Sequence, residues 1–269
     1  MKLRVATWNI NSVRLRLPLV ERMARLHRPD VICLQEIKCR EELFPFDAIR
    51  ALGYEHISLS GQAGYHGVAT FSKLPLQQLP RQRFCGTEDA RHLGCVIQLP
   101  NSASTIAIHN LYIPAGGDIP DPEINPKFKQ KLAYLKALAE WSADCPKNEA
   151  AIILGDFNVA PLETDVWSHK QLLKVVSHTP IEVEHLSSVQ AAGQWCDVVR
   201  NFILPSERLY SWWSYRAQDW AASDRGRRLD HLWASPALSG HAETAIVFKD
   251  ARSWDRPSDH VPVIVDFDV

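Results

Sequence analysis

No apolar run in this sequence approaches the roughly 18 residues that a membrane-spanning helix needs, so no membrane partner is expected. The six cysteines form no CxxC pair, and no histidine pair completes a zinc pattern. They read as small core residues of a reduced, cytosolic chain. Charge of either sign is not in excess: the formal net charge is −1. Attraction to a polyanion would therefore have to come from a local patch and a bound cation. No low-complexity linker or charge block divides the 269 residues, and a single domain over 1–269 is expected. The start, Met1-Lys2-Leu3-Arg4-Val5, alternates apolar and charged residues and lacks the unbroken apolar segment of a secretory signal.

What is present is a regular alternation of buried-looking strands and amphipathic helices. Strands are expected at Leu3–Ile10, Val31–Leu34, Glu55–Leu59, Gly67–Phe71, Gly94–Leu99, Thr105–Tyr112, Ala150–Leu154, Leu229–Ala234, Ala242–Phe248 and Val261–Phe267. Helical spacing marks Pro18–His27, Phe46–Leu52 and, most clearly, Lys127–Ala143, where Phe128, Leu132, Leu135 and Leu138 form one stripe. Further helical segments are expected at Glu163–Val176 and Ile181–Phe202. Many strands are joined by short turns, which disfavours an all-parallel fold. The pattern fits an α/β fold of two packed mixed β-sheets flanked by helices. Leu229-Asp230-His231 weakly echoes Ser258-Asp259-His260, a hint of duplication.

Polar signatures flank several of these apolar strands: Thr7-Trp8-Asn9-Ile10-Asn11, Leu34-Gln35-Glu36, Gly155-Asp156-Phe157-Asn158 and Ser258-Asp259-His260. A strand that ends in a polar group places it at the rim of a sheet. Oxygen donors with one imidazole suit a hard divalent cation and attack on a phosphate. Glu36 is the leading ligand candidate, beside Asn9 and Asn11; its ordinary role would be a helix cap or a pair with Lys38. Asp156 could deprotonate water and Asn158 hold it, although Gly-Asp-x-Asn is also a common turn. His260 could donate to a phosphoryl oxygen with Asp230 fixing its tautomer, or be a satisfied core histidine. Tyr112 could touch a phosphate or simply pack.

From Tyr210 to Arg256, tryptophans and arginines interleave, which suits stacking on sugars or bases with phosphate contacts alongside. Arg14 and Arg16 could extend this rim. Trp212 and Trp213 are adjacent, so on a strand one faces inward and the other outward.

Taken together, these motifs resemble the exonuclease III family of apurinic/apyrimidinic (AP) endonucleases, within the larger endonuclease/exonuclease/phosphatase superfamily. Thr7 to Arg14, Leu34 to Lys38, Tyr112-Ile113-Pro114, Gly155 to Asn158, Arg228-Leu229-Asp230 and Ser258-Asp259-His260 occur in the family's order, and the likeness runs from Thr7 to Pro262. The resemblance implies a four-layered α/β sandwich. It implies Mg²⁺ (or Mn²⁺) held by Glu36 with Asn9 or Asn11 and Asp259. It implies that Asp156 activates water, that Asn158 and Tyr112 hold the phosphate, and that His260 with Asp230 stabilises the transition state. Trp212 and Leu229 match the pocket for an abasic sugar, and Arg14, Lys38 and Tyr65 match backbone-contacting positions. The implied partner is double-stranded DNA with abasic sites or 3′ ends, met by a monomer in the cytoplasm, at the nucleoid. Arg227 stands where some relatives have an aromatic pocket residue, and Ala115–Asp118 and Trp167–Pro180 also depart from the better-known members. The alternatives are another phosphatase or nuclease of the superfamily, and a catalytically silent DNA binder.

Overall fold

A computed structural model describes residues 1–269 apart from Thr87, residues 101–103 and Gln218, with Cys85 described only in its backbone. The elements run β1 (Lys2–Asn9), α1 (Val13–His27), β2 (Val31–Gln35), α2 (Phe46–Arg50), β3 (His56–Ser60), β4 (Val68–Ser72), β5 (Leu76–Gln78), β6 (His92–Gln98), β7 (Thr105–Tyr112), α3 (Pro126–Asp144), β8 (Ala151–Asp156), α4 (His169–Leu172) and α5 (Pro180–Gly193). Then follow β9 (Cys196–Asp197), β10 (Trp212–Trp213), α6 (Trp220–Ser223), β11 (Gly226–Arg227), β12 (Asp230–Ala234), α7 (Pro236–Ser239), β13 (Ala242–Val247) and β14 (Val263–Asp268).

The strands form two six-stranded sheets, ordered β13-β14-β1-β2-β4-β3 and β5-β6-β7-β8-β12-β9. Each has one parallel pair at its centre, β1 with β2 and β7 with β8. The side-chain period of two decides the layers. On β1 and β2, Leu3, Val5, Val31 and Cys33 point between the sheets and meet Ile106, Ile108, Ile152 and Leu154 from the other sheet. Ala6, Trp8, Ile32 and Leu34 point outward onto α1 through Leu19, Val20 and Met23. On the far side Ile153 packs with Tyr134, Leu135 and Leu138 of α3 and with Leu186 and Val189 of α5. The result is four layers, helix–sheet–sheet–helix, and sheets buried on both faces explain why the central strands read as unbroken apolar runs. The echoing Asp-His pairs sit at corresponding places, beginning β12 beside β8 and preceding β14 beside β1.

Two helical expectations fail. Ile181–Phe202 is helical only to Gly193, where Gln194 turns left-handed (φ 53°) and the chain enters β9. Of Glu163–Val176, only a 3₁₀ turn at Glu163–Asp165 and the four residues of α4 are helical. Tertiary contacts override propensity there: Asp165 is buried, accepts from Arg200 Nη2 at 2.5 Å, and gives its carbonyl to Arg228 N at 2.8 Å. The helix expected from Pro18 starts earlier, at Val13, but its backbone leaves the helical region at Arg16 just before the proline.

Buried neutral histidines set an acid limit on this fold. Burial, helped by His109 and Arg81, pushes His92 down to about 3. Burial, with Arg228 nearby, pushes His231 down to about 3 as well. In the unfolded chain both take protons near pH ~6.5. Their contribution is complete above that value and is lost as the pH falls toward the folded value. The urea midpoint is expected to fall steadily between about pH 6.5 and pH 4.5. A midpoint unchanged over that range would contradict the assignment.

Candidate active site

The layer between the sheets changes character along its length. On one strand after another, the inward positions are apolar and then polar at the same end. Val5 is followed by Thr7 and Asn9, Cys33 by Gln35, Ile108 by Asn110 and Tyr112, and Leu154 by Asp156. Antiparallel β12 contributes Asp230 at its start. The polar end is cross-braced: Gln35 Nε2 donates to Thr7 Oγ1 at 3.0 Å and Asn110 Oδ1 at 2.7 Å, and Asn110 Nδ2 reaches Leu34 O and Ala69 O of the opposite sheet. Gly155 (φ 132°) is obligatory, because a Cβ there would lie 1.9 Å from Leu111 O of the paired strand. Beyond the strand ends, Asn11, Glu36, Lys38 and Asn158 all have φ of 48–55°, the left-handed region that residues other than glycine seldom adopt.

These turns bring Asn9, Asn11, Tyr112, Glu36, Asp156, Asn158, Asp230, Asp259 and His260 to one place. Asn9 Nδ2 donates to both Glu36 Oε1 and Asp156 Oδ2 at 2.9 Å, and Tyr112 OH donates to Glu36 Oε1 at 2.8 Å. Asp156 Oδ1 accepts from Asn158 N at 3.0 Å, closing the Gly-Asp-x-Asn turn, and Asn158 Nδ2 donates to Ile113 O at 2.9 Å. His260 lies with Nδ1 2.8 Å from Asp230 Oδ2 and Nε2 3.7 Å from Asp156 Oδ2. Ser211 Oγ, 2.6 Å from the same Asp230 oxygen, also accepts from Leu229 N and Asp230 N and fixes the aspartate. Ser258 Oγ donates to Asn9 O at 2.7 Å, tying this segment to β1.

Electrostatics divides the roles. Burial pushes Asp156 up, Asp230 adds to the rise and His260 opposes it; the outcome is about 7. For His260 burial acts downward, but Asp230 and Asp156 outweigh it and lift the imidazolium to about 10. Burial also works against Glu36, where the Lys38 ammonium and the Asn9 amide prevail and hold the carboxylate below its ordinary value. At neutral pH the arrangement is a charged imidazole between two aspartates, one of them poised to exchange a proton.

The donor set fits a cation near Glu36 rather than at the histidine. Lys38 Nζ stands 2.8 Å from Glu36 Oε2 and 2.6 Å from Asn11 Oδ1, so these two oxygens already converge on one positive charge. Asp259 adjoins them, its Oδ1 accepting from Asn11 Nδ2 at 3.1 Å and its Oδ2 from Trp212 Nε1 at 2.9 Å. Asn9 faces the carboxylates with its NH₂ group and bridges them as a donor, while its amide oxygen accepts from Asn11 N at 3.1 Å. The Asp156, Asp230 and His260 donor atoms do lie within 4.8 Å of one another. A metal there would have to displace the proton that Asp230 and Asp156 favour on the imidazole.

The group opens into a cavity of about 680 Å³ whose lining includes Glu36, Tyr112, Asp156, Asn158, Asp259 and His260 together with Trp212, Leu229 and Arg227. Trp213 is buried and Trp212 faces the cavity, as adjacent strand residues should. Of the expected backbone contacts, Tyr65 is 73% exposed and Arg14 is exposed, both outside the cavity lining. Lys38 turns inward to Glu36 instead of outward. Arg16 is structural: it is buried and donates to Asn11 O, Arg256 O and Tyr215 OH. Arg227 is held by the divergent segment itself, donating to Val176 O at 2.9 Å and Ser177 Oγ at 2.8 Å. Ser211, the Gln35–Asn110 brace and the buried Lys131 were missed, because single polar residues inside apolar runs carry no periodic signal.

Two facing mixed sheets with a carboxylate–imidazole–carboxylate cluster at their shared rim define an α/β-sandwich hydrolase. The chain belongs to the Endonuclease/Exonuclease/phosphatase family, whose profile matches residues 6–260. It is 28% identical over 271 residues to the Exodeoxyribonuclease III of Haemophilus influenzae, covering 98% of this chain and 100% of that protein. Its fold is similar to that of an AP endonuclease from Archaeoglobus fulgidus (TM-score 0.90, 29% identity, covering 99% of this chain and 100% of that one). It is also similar to the 3′ phosphatase NExo from Neisseria bound to a product DNA hairpin (TM-score 0.87, 28% identity, covering 99% and 100%). Among the described residues no helix is long and apolar enough to cross a membrane.

Proposed function

We propose that this protein is a divalent-metal-dependent DNA phosphodiesterase that incises duplex DNA 5′ to abasic sites, leaves a 3′-hydroxyl, and also clears 3′ ends. The observation that carries this reading is the Asp156–His260–Asp230 constellation, with Nε2 of His260 3.7 Å from Asp156 Oδ2 at the floor of a cavity open to solvent. Asp156 takes a proton from the attacking water and aims its oxygen at phosphorus. That oxygen bonds to phosphorus as the bond to the 3′-oxygen breaks. His260, held by Asp230, donates to the charge that develops on the phosphoryl group. Asn158 and Tyr112 line the place the phosphate would occupy. Glu36, Asn11 and Asp259 are the residues that would hold Mg²⁺ or Mn²⁺, which when bound neutralises phosphate charge. Trp212 and Leu229 would receive the abasic sugar.

One experiment tests the whole reading: a duplex with a single abasic site, incubated with Mg²⁺ or with EDTA and resolved on a gel. Incision 5′ to the site with Mg²⁺ and none with EDTA is the expected result. Glu36→Ala should need much more metal for the same rate. Binding without cleavage would instead identify a silent DNA-binding relative, and turnover confined to inositol phosphates or RNA would identify a different phosphoesterase.

A further inference from the structure

Two pairs of histidines outside the carboxylate cluster face each other nitrogen to nitrogen, and they differ in where their protons must sit. In the first, His92 Nε2 lies 3.1 Å from His109 Nδ1. His92 Nδ1 accepts from Gln82 N at 3.2 Å, so the proton of that ring is on Nε2 and is donated to the bare Nδ1 of His109. That pair is complete with both rings neutral. In the second, His169 Nδ1 lies 2.8 Å from His178 Nε2. Here both outer nitrogens face oxygen: His178 Nδ1 is 2.6 Å from Ala160 O, and His169 Nε2 is 3.5 Å from Glu163 Oε1. A carbonyl and a carboxylate only accept, so each ring is satisfied with its proton on the outer side and its lone pair turned inward. Two lone pairs at that separation need a cation between them, either a third proton or a metal ion. The neutral alternative, His169 donating inward from Nδ1, sets the bare Nε2 against the Glu163 carboxylate. Burial holds His178 below its ordinary value despite the hydrogen bond to Ala160 O, so the buried ring resists taking the third proton.

We propose that His169 and His178 form a binding site for a borderline divalent ion such as Zn²⁺, separate from the Glu36 site, with Ala160 O and Glu163 fixing the two rings. Neutral imidazole suits Zn²⁺ and its neighbours among the transition metals, whereas Mg²⁺ takes oxygen donors. The outer partners are those that metal-bound histidines commonly have, a backbone carbonyl on one ring and a carboxylate on the other. A tetrahedral ion holds two imidazole nitrogens about 3.3 Å apart, so the 2.8 Å gap must open by about half an ångström. His169 can supply that movement, because it is part-exposed at the start of the four-residue α4, while His178 is buried. Water completes the coordination from the open side. Asp165 and Glu182 add negative charge near His178, although each already has a cation of its own, Arg200 and Lys131. The nine-residue spacing of the two histidines matches no linear zinc pattern. Ala160 N donates to Ser177 O at 2.7 Å, which closes the loop that carries both rings. Val175, Val176 and Ser177 of that loop line the cavity, so an ion between the histidines would pin one of its walls. The site stands or falls independently of the phosphodiesterase reading.

The test titrates the full-length protein with Zn²⁺ in excess Mg²⁺, following heat by calorimetry and the histidine ring nitrogens by NMR. Zn²⁺ should move the inner nitrogens of His169 and His178 and leave those of His92 and His109 in place. Zn²⁺ also suits the carboxylate cluster, so the titration is repeated on Glu36→Ala, in which the histidine-linked step should persist. His169→Gln should abolish that step, and Glu163→Gln should weaken it by about 10–100-fold. Zn²⁺ binding that disappears in Glu36→Ala and is untouched in His169→Gln places the ion at the carboxylates and overturns the site. Ring nitrogens of His169 and His178 that stay unmoved on adding Zn²⁺ identify a plain hydrogen bond between neutral rings and overturn it too, even if the variants fail to fold. Movement at His92 and His109 instead does the same, because it removes the distinction between the two pairs.

Discussion

Replacing Asp156 by asparagine is expected to lower kcat by about 10²–10⁴-fold and leave duplex binding intact. The asparagine keeps the shape of the turn, because Asn158 N can still donate to its side-chain oxygen, as it now does to Asp156 Oδ1 at 3.0 Å. What is lost is the base. The same substitution removes one of the two carboxylates that raise His260, so the imidazole of the variant should titrate lower than the wild type's; NMR of the ring protons measures this directly. The wild-type rate should rise with pH along an acid limb set by Asp156, which burial has pushed up to about 7. Added divalent cation shifts that limb to lower pH, since positive charge nearby favours the carboxylate. Near-normal turnover in the variant, or an acid limb that persists in it unchanged, would remove Asp156 from the base role.

Replacing Lys131 by methionine is expected to cost about 3–5 kcal/mol of stability, a large share of what a folded protein has in total. Lys131 and Glu182 are both 0% exposed and form an ion pair between α3 and α5. Lys131 Nζ also donates to Asn158 O at 2.7 Å. Glu182 accepts from Ser177 N at 2.9 Å with both oxygens and from Thr179 Oγ1 at 2.7 Å. Removing only the lysine strands a carboxylate in the interior. Removing both charges, as Lys131→Met with Glu182→Leu, should recover part of the loss, because no unpaired ion is left behind. Urea midpoints of the single and double variants measure the difference. A double variant less stable than the sum of the singles would show that the hydrogen bonds of Glu182, rather than its charge, hold this region.

The sequence made the site's contents legible because each functional group interrupts a pattern. An apolar strand that ends in Asn9 or Asp156 breaks its own period at one point, and the break marks the rim. Gly155 could be read as turn chemistry, yet its structural reason is the Leu111 carbonyl against which any Cβ would press. The orientation of Asn9 was not legible because residue type does not say which end of an amide faces the site; in the structure Asn11 N takes the oxygen. The segment after Asn158 was misread for a different reason. Its residues favour a helix locally, but Asp165 is anchored to Arg200 and Arg228, which lie tens of residues further along. The β10 and β11 pairing, and with it the meeting of Trp212 and Arg227, has only two residues on each side and leaves no periodic trace.

The order in which the chain is made gives the terminal strand a role beyond packing. β14 docks beside β1, and that pairing, together with the bonds from Ser258 Oγ to Asn9 O at 2.7 Å and from Trp8 Nε1 to His260 O at 2.9 Å, brings Ser258, Asp259 and His260 to the rim. A polypeptide emerging from the ribosome holds Asp156 and Glu36 long before it holds the imidazole. On the proposed mechanism synthesis itself therefore acts as a safety catch: an unfinished chain lacks the imidazole with which it would cut nucleic acid.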